Sequence, residues 1–222
     1  MQVTTEMHDG IALVRMDDGK MNAITRDALG AIEAALDEAE DAAALVFAGR
    51  PGSFCAGFDR AVMTGDDDAA RSALGVGGAR IAARLFAWPK PVVAASTGHA
   101  FTIGALWLMA CDTRLAERGE YRYAMTETIM GAVLSGWPMT ILETRVPARL
   151  MTPIAIQSLV LGPEDAVEAG YVDRVVDAGR AVEAALSAAG ELAKLPAAAY
   201  AGNKRAVRGA AMKRLEEQLA AM

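Results

Sequence analysis

The chain is poor in the residues that build most ligand cages. It has two cysteines, Cys55 and Cys111, and two histidines, His8 and His99. Neither a zinc quartet nor a disulfide framework can be made from that set. The two thiols read as small buried hydrophobes in a protein of the reducing cytoplasm. Aromatic residues make up only 5%, too few for a base-stacking surface. Positive charge is the minority: 22 Lys and Arg stand against 28 Asp and Glu, for a net charge of −6. Such a chain has no general pull toward phosphate backbones, so nucleic acid is not an expected partner. Met1–Gly10 carries Glu6 and Asp9 and lacks the apolar core of a secretory signal.

Several common motifs are also missing. Asp17-Asp-Gly-Lys20 follows the first apolar run where a dinucleotide fold would place G-x-G-x-x-G. There is no phosphate-binding G-x-x-x-x-G-K and no G-x-S-x-G nucleophile elbow. No His, Asp or Glu cluster has metal-ligand spacing, so no metal is expected. His8 reads as exposed and His99 as structural. Pro91–Cys111 contains no charge and has the ~20 residues that could span a bilayer. Its middle, however, reads Ser96-Thr97-Gly98-His99 and then Thr102 and Gly104. That suits a buried strand, a tight turn and a buried helix, so no membrane is expected.

What is present is 222 residues, 53% of them hydrophobic, with no linker and no internal repeat. At ~150 residues per domain, this reads as one domain over residues 1–222. An α/β core would end near residue 180, and a helical C-terminal region, possibly shortened, would cover 181–222. Ile11–Met16, Ala43–Ala48, Pro91–Ala95 and Asp112–Glu117 are strand-length apolar runs. Thr25 opens a helix to Asp41 in which Ala28, Ile32, Ala35 and Leu36 recur at helical spacing. Asp66–Trp88 is mostly helical but interrupted or kinked at Gly75-Val-Gly-Gly78, and it is stopped by Pro89-Lys-Pro91. Asp66-Asp-Asp68 reads as its solvated N-terminus. Arg50–Asp59 is a glycine-rich loop, Gly98–Phe101 a turn and Thr102–Ala110 a helix. Beyond Trp137 the chain is mainly helical, with a short strand near Tyr171–Val176. Continuous apolar strands alternating with helices indicate a mostly parallel sheet covered on both faces.

Two glycine-bearing segments follow strands and precede helices: Phe54-Cys-Ala-Gly-Phe-Asp59 and Gly98-His-Ala-Phe-Thr-Ile-Gly-Ala105. Parallel sheets place ligands where strands end. N–H groups at helix starts have no intrahelical acceptor and attract negative charge. Two such donors from two loops could form an oxyanion hole.

The ordered set Lys20-Met-Asn-Ala23, Phe54-Cys-Ala-Gly-Phe-Asp59, Pro89-Lys-Pro-Val-Val-Ala94, Gly98-His-Ala100, Ala110-Cys-Asp112, Thr126-Glu-Thr-Ile-Met-Gly131 and Gly162–Val176 resembles the crotonase superfamily of enoyl-CoA hydratases and isomerases. The resemblance covers about residues 10–205. It implies an α/β crotonase (ClpP/crotonase-like) spiral of ββα units, an acyl-CoA ligand of fatty acid metabolism and no separate cofactor. It also implies a homotrimer or dimer of trimers. By the same resemblance, Ala56 and Ile103 supply the oxyanion N–H groups. Gly57, Phe58, Asp59 and Leu106 line the substrate, and Lys20, Met21 and Ala23 belong to the CoA-binding loop. Ile103 departs from the family's glycine, and a β-branched residue resists positive φ.

Hydratases of this family hold water between two glutamates. Here the first position is Leu106 and the second is Glu127. This pattern, with Trp137 ten residues beyond Glu127, resembles the single-glutamate Δ3,Δ2-enoyl-CoA isomerases. It implies proton transfer by Glu127 through an oxyanion-stabilised dienolate, with Trp107 or Trp137 facing the pocket. Hydration of a 2-enoyl-CoA by one glutamate, another reaction of the superfamily, or a non-catalytic acyl-CoA-binding role remain open alternatives.

Overall fold

The computed structural model describes all residues, Met1–Met222. The chain opens with strands β1 (Gln2–His8), β2 (Ile11–Asp17) and β3 (Ala23–Ile24), then helix α1 (Arg26–Glu38). Strands β4 (Ala44–Ala48), β5 (Gly52–Cys55) and β6 (Gly57–Phe58) precede helices α2 (Arg60–Thr64) and α3 (Asp68–Ala87). Next come β7 (Val92–Ser96), β8 (Gly98–Phe101), α4 (Ile103–Ala110), β9 (Thr113–Glu117) and β10 (Tyr123–Ala124). The rest is α5 (Trp137–Arg145), α6 (Ala148–Met151) with a π-helical turn over Thr152–Ile156, α7 (Pro163–Glu168), β11 (Arg174–Val176), α8 (Ala181–Ala193) and α9 (Ala197–Ala220).

The main sheet has the order β1-β2-β4-β7-β9-β11. Only the β1–β2 pair is antiparallel. Alternation along these strands separates two faces. Leu13, Val46, Val93 and Leu115 pack under Ala181, Ala185 and Ala189 of α8. Val14, Phe47, Ala94 and Ala116 face the larger core shared with α1, α3, α4 and α5. Burial on both faces explains why these strands carry continuous apolar runs.

The helix starts read at Thr25 and at Asp66–Asp68 hold. Thr25 Oγ1 accepts from Ala28 N–H and Asp67 Oδ1 from Ala70 N–H, each capping its helix. Several expectations are corrected or extended. Residues 2–8 form an edge strand, and α2 was not foreseen. Arg50–Asp59 is not simply a loop, because β5 and β6 lie within it. Gly98–Phe101 is not a turn but the central strand of a second, three-stranded parallel sheet ordered β10-β8-β5.

Helix α3 runs unbroken through Gly75–Gly78. A Cβ on Gly77 would stand 2.6 Å from Leu29 Cδ1, and one on Gly78 would stand 2.6 Å from Phe58 Cζ. Two of these glycines are therefore contact points, and Gly78 O accepts from Trp107 Nε1–H at 3.0 Å. His99 is half-buried on β8. Its Nδ1 accepts from Arg122 N–H at 3.1 Å and its ring stacks on Phe101.

At the far end, α9 anchors the ends of α3 and α4. Lys204 Nζ donates to Trp88 O, Lys90 O and Asp112 Oδ2. Arg208 lies 2.9 Å from Asp112 Oδ1, and Tyr200 O–H donates to Asp112 Oδ2 at 2.9 Å. Asp112 and Lys204 are 8% and 5% exposed at their side chains, so this pair is largely withdrawn from water. No helix is long and apolar enough to cross a membrane.

Candidate active site

The three-stranded sheet is what assembles the site. Its strands are parallel, so their C-terminal ends lie together. β5 leads to Ala56-Gly-Phe58, β8 to Thr102-Ile103, and β10 to Thr126-Glu127. Around these ends lies a cavity of about 350 Å³. Ala56, Gly57, Phe58, Ile103, Leu106 and Glu127 all line it, as the sequence suggested. Thr102, Met63, Gly75, Met130, Val133 and Trp137 complete most of the wall. Trp137 is thus the tryptophan at the cavity; Trp107 is fully buried elsewhere.

Glu127 is the only carboxylate in the lining. It follows β10 in a turn and does not begin a helix. Its Oε2 is buried without a hydrogen-bond partner. Burial pushes its carboxyl from the ordinary 4.5 up to about 7, and a single backbone N–H only partly offsets that. Leu106, 3% exposed, presents an apolar wall to the cavity. Behind Glu127, the Tyr171 hydroxyl is also buried without a well-formed hydrogen bond. Burial, reinforced by the Glu127 charge, holds that phenol well above its usual range.

The helix start at Ile103 is built without strain on the isoleucine. The positive φ falls one residue earlier, on Thr102 (φ 48°), and Ile103 is helical. Thr102 N–H donates to Ala124 O, and Leu106 N–H to Thr102 O. As first residue of α4, Ile103 N–H has no intrahelical acceptor, and it lies in the cavity wall.

Ala56 is different, and its expected role is corrected. It does not start a helix, and its N–H donates to Met21 O at 3.0 Å. A donor already committed to a carbonyl is not available to a ligand. Three residues on, past the positive φ of Gly57 that breaks the alternation, Asp59 N–H also points to β3 and donates to Ile24 O at 2.9 Å. Successive N–H groups of a strand point to opposite sides, so Phe58 N–H points away from β3. Phe58 lines the cavity, so its amide, turned away from β3, is the one on this side placed to serve a ligand. Gly57 permits the geometry, with φ +105° and no room for a Cβ, which would meet Thr102 Oγ1 at 2.6 Å.

The remaining expected residues stand outside the cavity wall. Asp59 does not line it; its Oδ1 accepts from Ala61 N–H and caps α2. Lys20 and Met21 are exposed on the β2–β3 loop, and Ala23, half-buried, begins β3. Asp18 ties that loop by accepting from Lys20, Asn22 and Ala23 N–H. These bonds outweigh its partial burial and hold its carboxyl below the usual range. Asn22, fully buried, donates from Nδ2 to Met16 O and Phe54 O and so fastens the loop to β5. That role was not foreseen, although its buried amide at a strand-to-loop junction was a signal.

The profile of the enoyl-CoA hydratase/isomerase family matches residues 6–222. The chain belongs to that family. Human mitochondrial enoyl-CoA delta isomerase 1 is 26% identical over 214 residues, covering 94% of this chain and 71% of the human one. A putative enoyl-CoA hydratase of Thermus thermophilus is 29% identical over 193 residues, covering 83% and 75%. The crystal structure of the enoyl-CoA hydratase EchA3 from Mycobacterium ulcerans superposes with a TM-score of 0.95 at 31% identity, covering 98% of this chain and 96% of that one. The fold of this family member is accordingly the crotonase fold. A Mycobacterium tuberculosis relative, also 31% identical, is described in one structure as a probable hydratase and in another as an isomerase. Family membership thus gives enoyl-CoA chemistry, and the choice of reaction falls to the site.

Proposed function

We propose that this protein shifts the double bond of a 3-enoyl-CoA to the 2-position. The observation that carries this reading is that Glu127, its Oε2 unpartnered, is the lone carboxylate of a cavity that Leu106 also lines. Adding water across a double bond requires a held water, and one carboxylate against an apolar wall is poorly equipped to hold it. Moving a proton from C2 to C4, across a single intervening carbon, requires one base of intermediate strength. A carboxyl near 7 both accepts and returns a proton at neutral pH.

In this mechanism the thioester oxygen accepts from Phe58 N–H and Ile103 N–H. Glu127 takes the proton from C2, which is acidified by the carbonyl and the alkene. The resulting dienolate carries its charge on that oxygen, and one such donor is worth roughly 2.7–4 kcal/mol in the transition state. Glu127 then delivers the proton to C4, leaving a conjugated 2-enoyl thioester. Coenzyme A enters as part of the substrate, and no further cofactor takes part. Following the family pattern, the working unit is a homotrimer or dimer of trimers in the cytoplasm.

The test is to mix the protein with a 3-enoyl-CoA and follow the absorbance of the conjugated thioester, alongside hydration of crotonyl-CoA. Isomerisation much faster than hydration is expected. The reverse order overturns the single-base reading, and no turnover of either substrate favours a binding protein.

A further inference from the structure

We infer that Gly75 sets the length of acyl chain the site accepts, and that the preferred substrates carry medium-length chains, not butenoyl groups. This rests on the reading of the cavity as an acyl-thioester site. The glycines of α3 are not equivalent. At Gly77 and Gly78 an added Cβ would fall 2.6 Å from the end of a neighbouring side chain, which would have to move. At Gly75 the nearest atom to an added Cβ is the Met222 methyl, at 4.0 Å. Nothing in the packing or the backbone dihedral requires glycine there, yet glycine inside a helix is less favourable than alanine.

What distinguishes Gly75 is that it lines the cavity. Gly78 stands three residues along on the same helix face. A Cβ there would press on Phe58 and on Ile103 Cδ1, the residues whose N–H groups hold the thioester oxygen in this reading. One helical turn away, about 4.5 Å at 1.5 Å per residue, α3 therefore presents bare backbone to the cavity at Gly75. The other walls of the cavity include the apolar side chains of Met63, Met130 and Val133. No charged side chain of α3 lines the cavity. A chain running from the reacting carbons along α3 crosses Gly75, and a side chain placed there would take its space.

Calorimetric binding of butyryl-CoA and decanoyl-CoA tests this without requiring turnover. Wild type should favour decanoyl-CoA. Each methylene excluded from apolar surroundings is worth about fourfold in affinity. Gly75→Phe should therefore cut the decanoyl-to-butyryl affinity ratio by about tenfold or more. Gly75→Ala should change the ratio far less and raise Tm. Gly75→Leu gives the same reading with a smaller side chain if the phenylalanine variant does not fold. A ratio that stays at the wild-type value in a folded variant overturns the Gly75 assignment alone, as does wild type binding both ligands equally. Wild type binding neither ligand overturns the acyl-thioester reading beneath it.

Discussion

Replacing Glu127 with glutamine is expected to strengthen the fold while ending turnover. Burial moves the carboxyl from 4.5 to about 7. Between those values the folded chain holds a proton that the unfolded chain has released. Stability therefore falls as pH rises from 4.5 toward 7, and the full cost stands above 7. A gap of about 2.5 between the two values, at about 1.36 kcal/mol per tenfold, makes the ionised side chain cost roughly 3 kcal/mol. Glutamine keeps the shape and drops the charge, but its incompletely bonded amide gives back about 1–2 kcal/mol. The variant should be more stable than wild type by about 1–2 kcal/mol at pH 8 and lose that advantage at pH 5. Urea unfolding of both proteins at the two pH values measures this, with conjugated-thioester absorbance reporting turnover. A glutamine variant less stable than wild type at pH 8, or a difference independent of pH, refutes the claim that burial holds this carboxyl high. Undiminished turnover removes Glu127 from the mechanism.

The same carboxyl predicts that kcat/KM for a 3-enoyl-CoA rises with pH up to about 7 and levels off above it, because only the ionised form takes the proton; a flat profile from acid to neutral pH contradicts this. Leu106→Glu should add hydration of crotonyl-CoA by supplying the missing carboxylate, at a folding cost of several kcal/mol; a folded variant with no gain in hydration would show that water is excluded by more than Leu106. Asp112→Asn should destabilise by roughly 3–5 kcal/mol, read by urea unfolding, because buried Lys204 and Arg208 lose their counter-charge. A change under about 1 kcal/mol would show that the helix-end carbonyls suffice for both cations.

The main strands, the cap at Thr25, the helix start at Asp66–Asp68, the buried helix α4 and, through the family resemblance, the leucine in place of a carboxylate at Leu106 were all legible in the sequence. Each depends on a local cause: an apolar run, a side-chain oxygen before a helix, or a residue type at one position. The short strands β5, β6 and β8 were not legible, because strands of two to four glycine-bearing residues exist only through their partners. That missing sheet is what brings Phe58, Ile103 and Glu127 to one edge. Donor assignment was lost with it. Whether Ala56 or Phe58 offers a free N–H depends on which side of the strand faces β3, a matter of pairing register. The glycines of α3 looked like an interruption because composition cannot separate a glycine that breaks a helix from one that lets Phe58 approach. The acidity of Glu127 was likewise out of reach of the chain alone. A glutamate has the same chemistry anywhere in a sequence, and only the tertiary structure takes it out of water and leaves one of its oxygens without a partner.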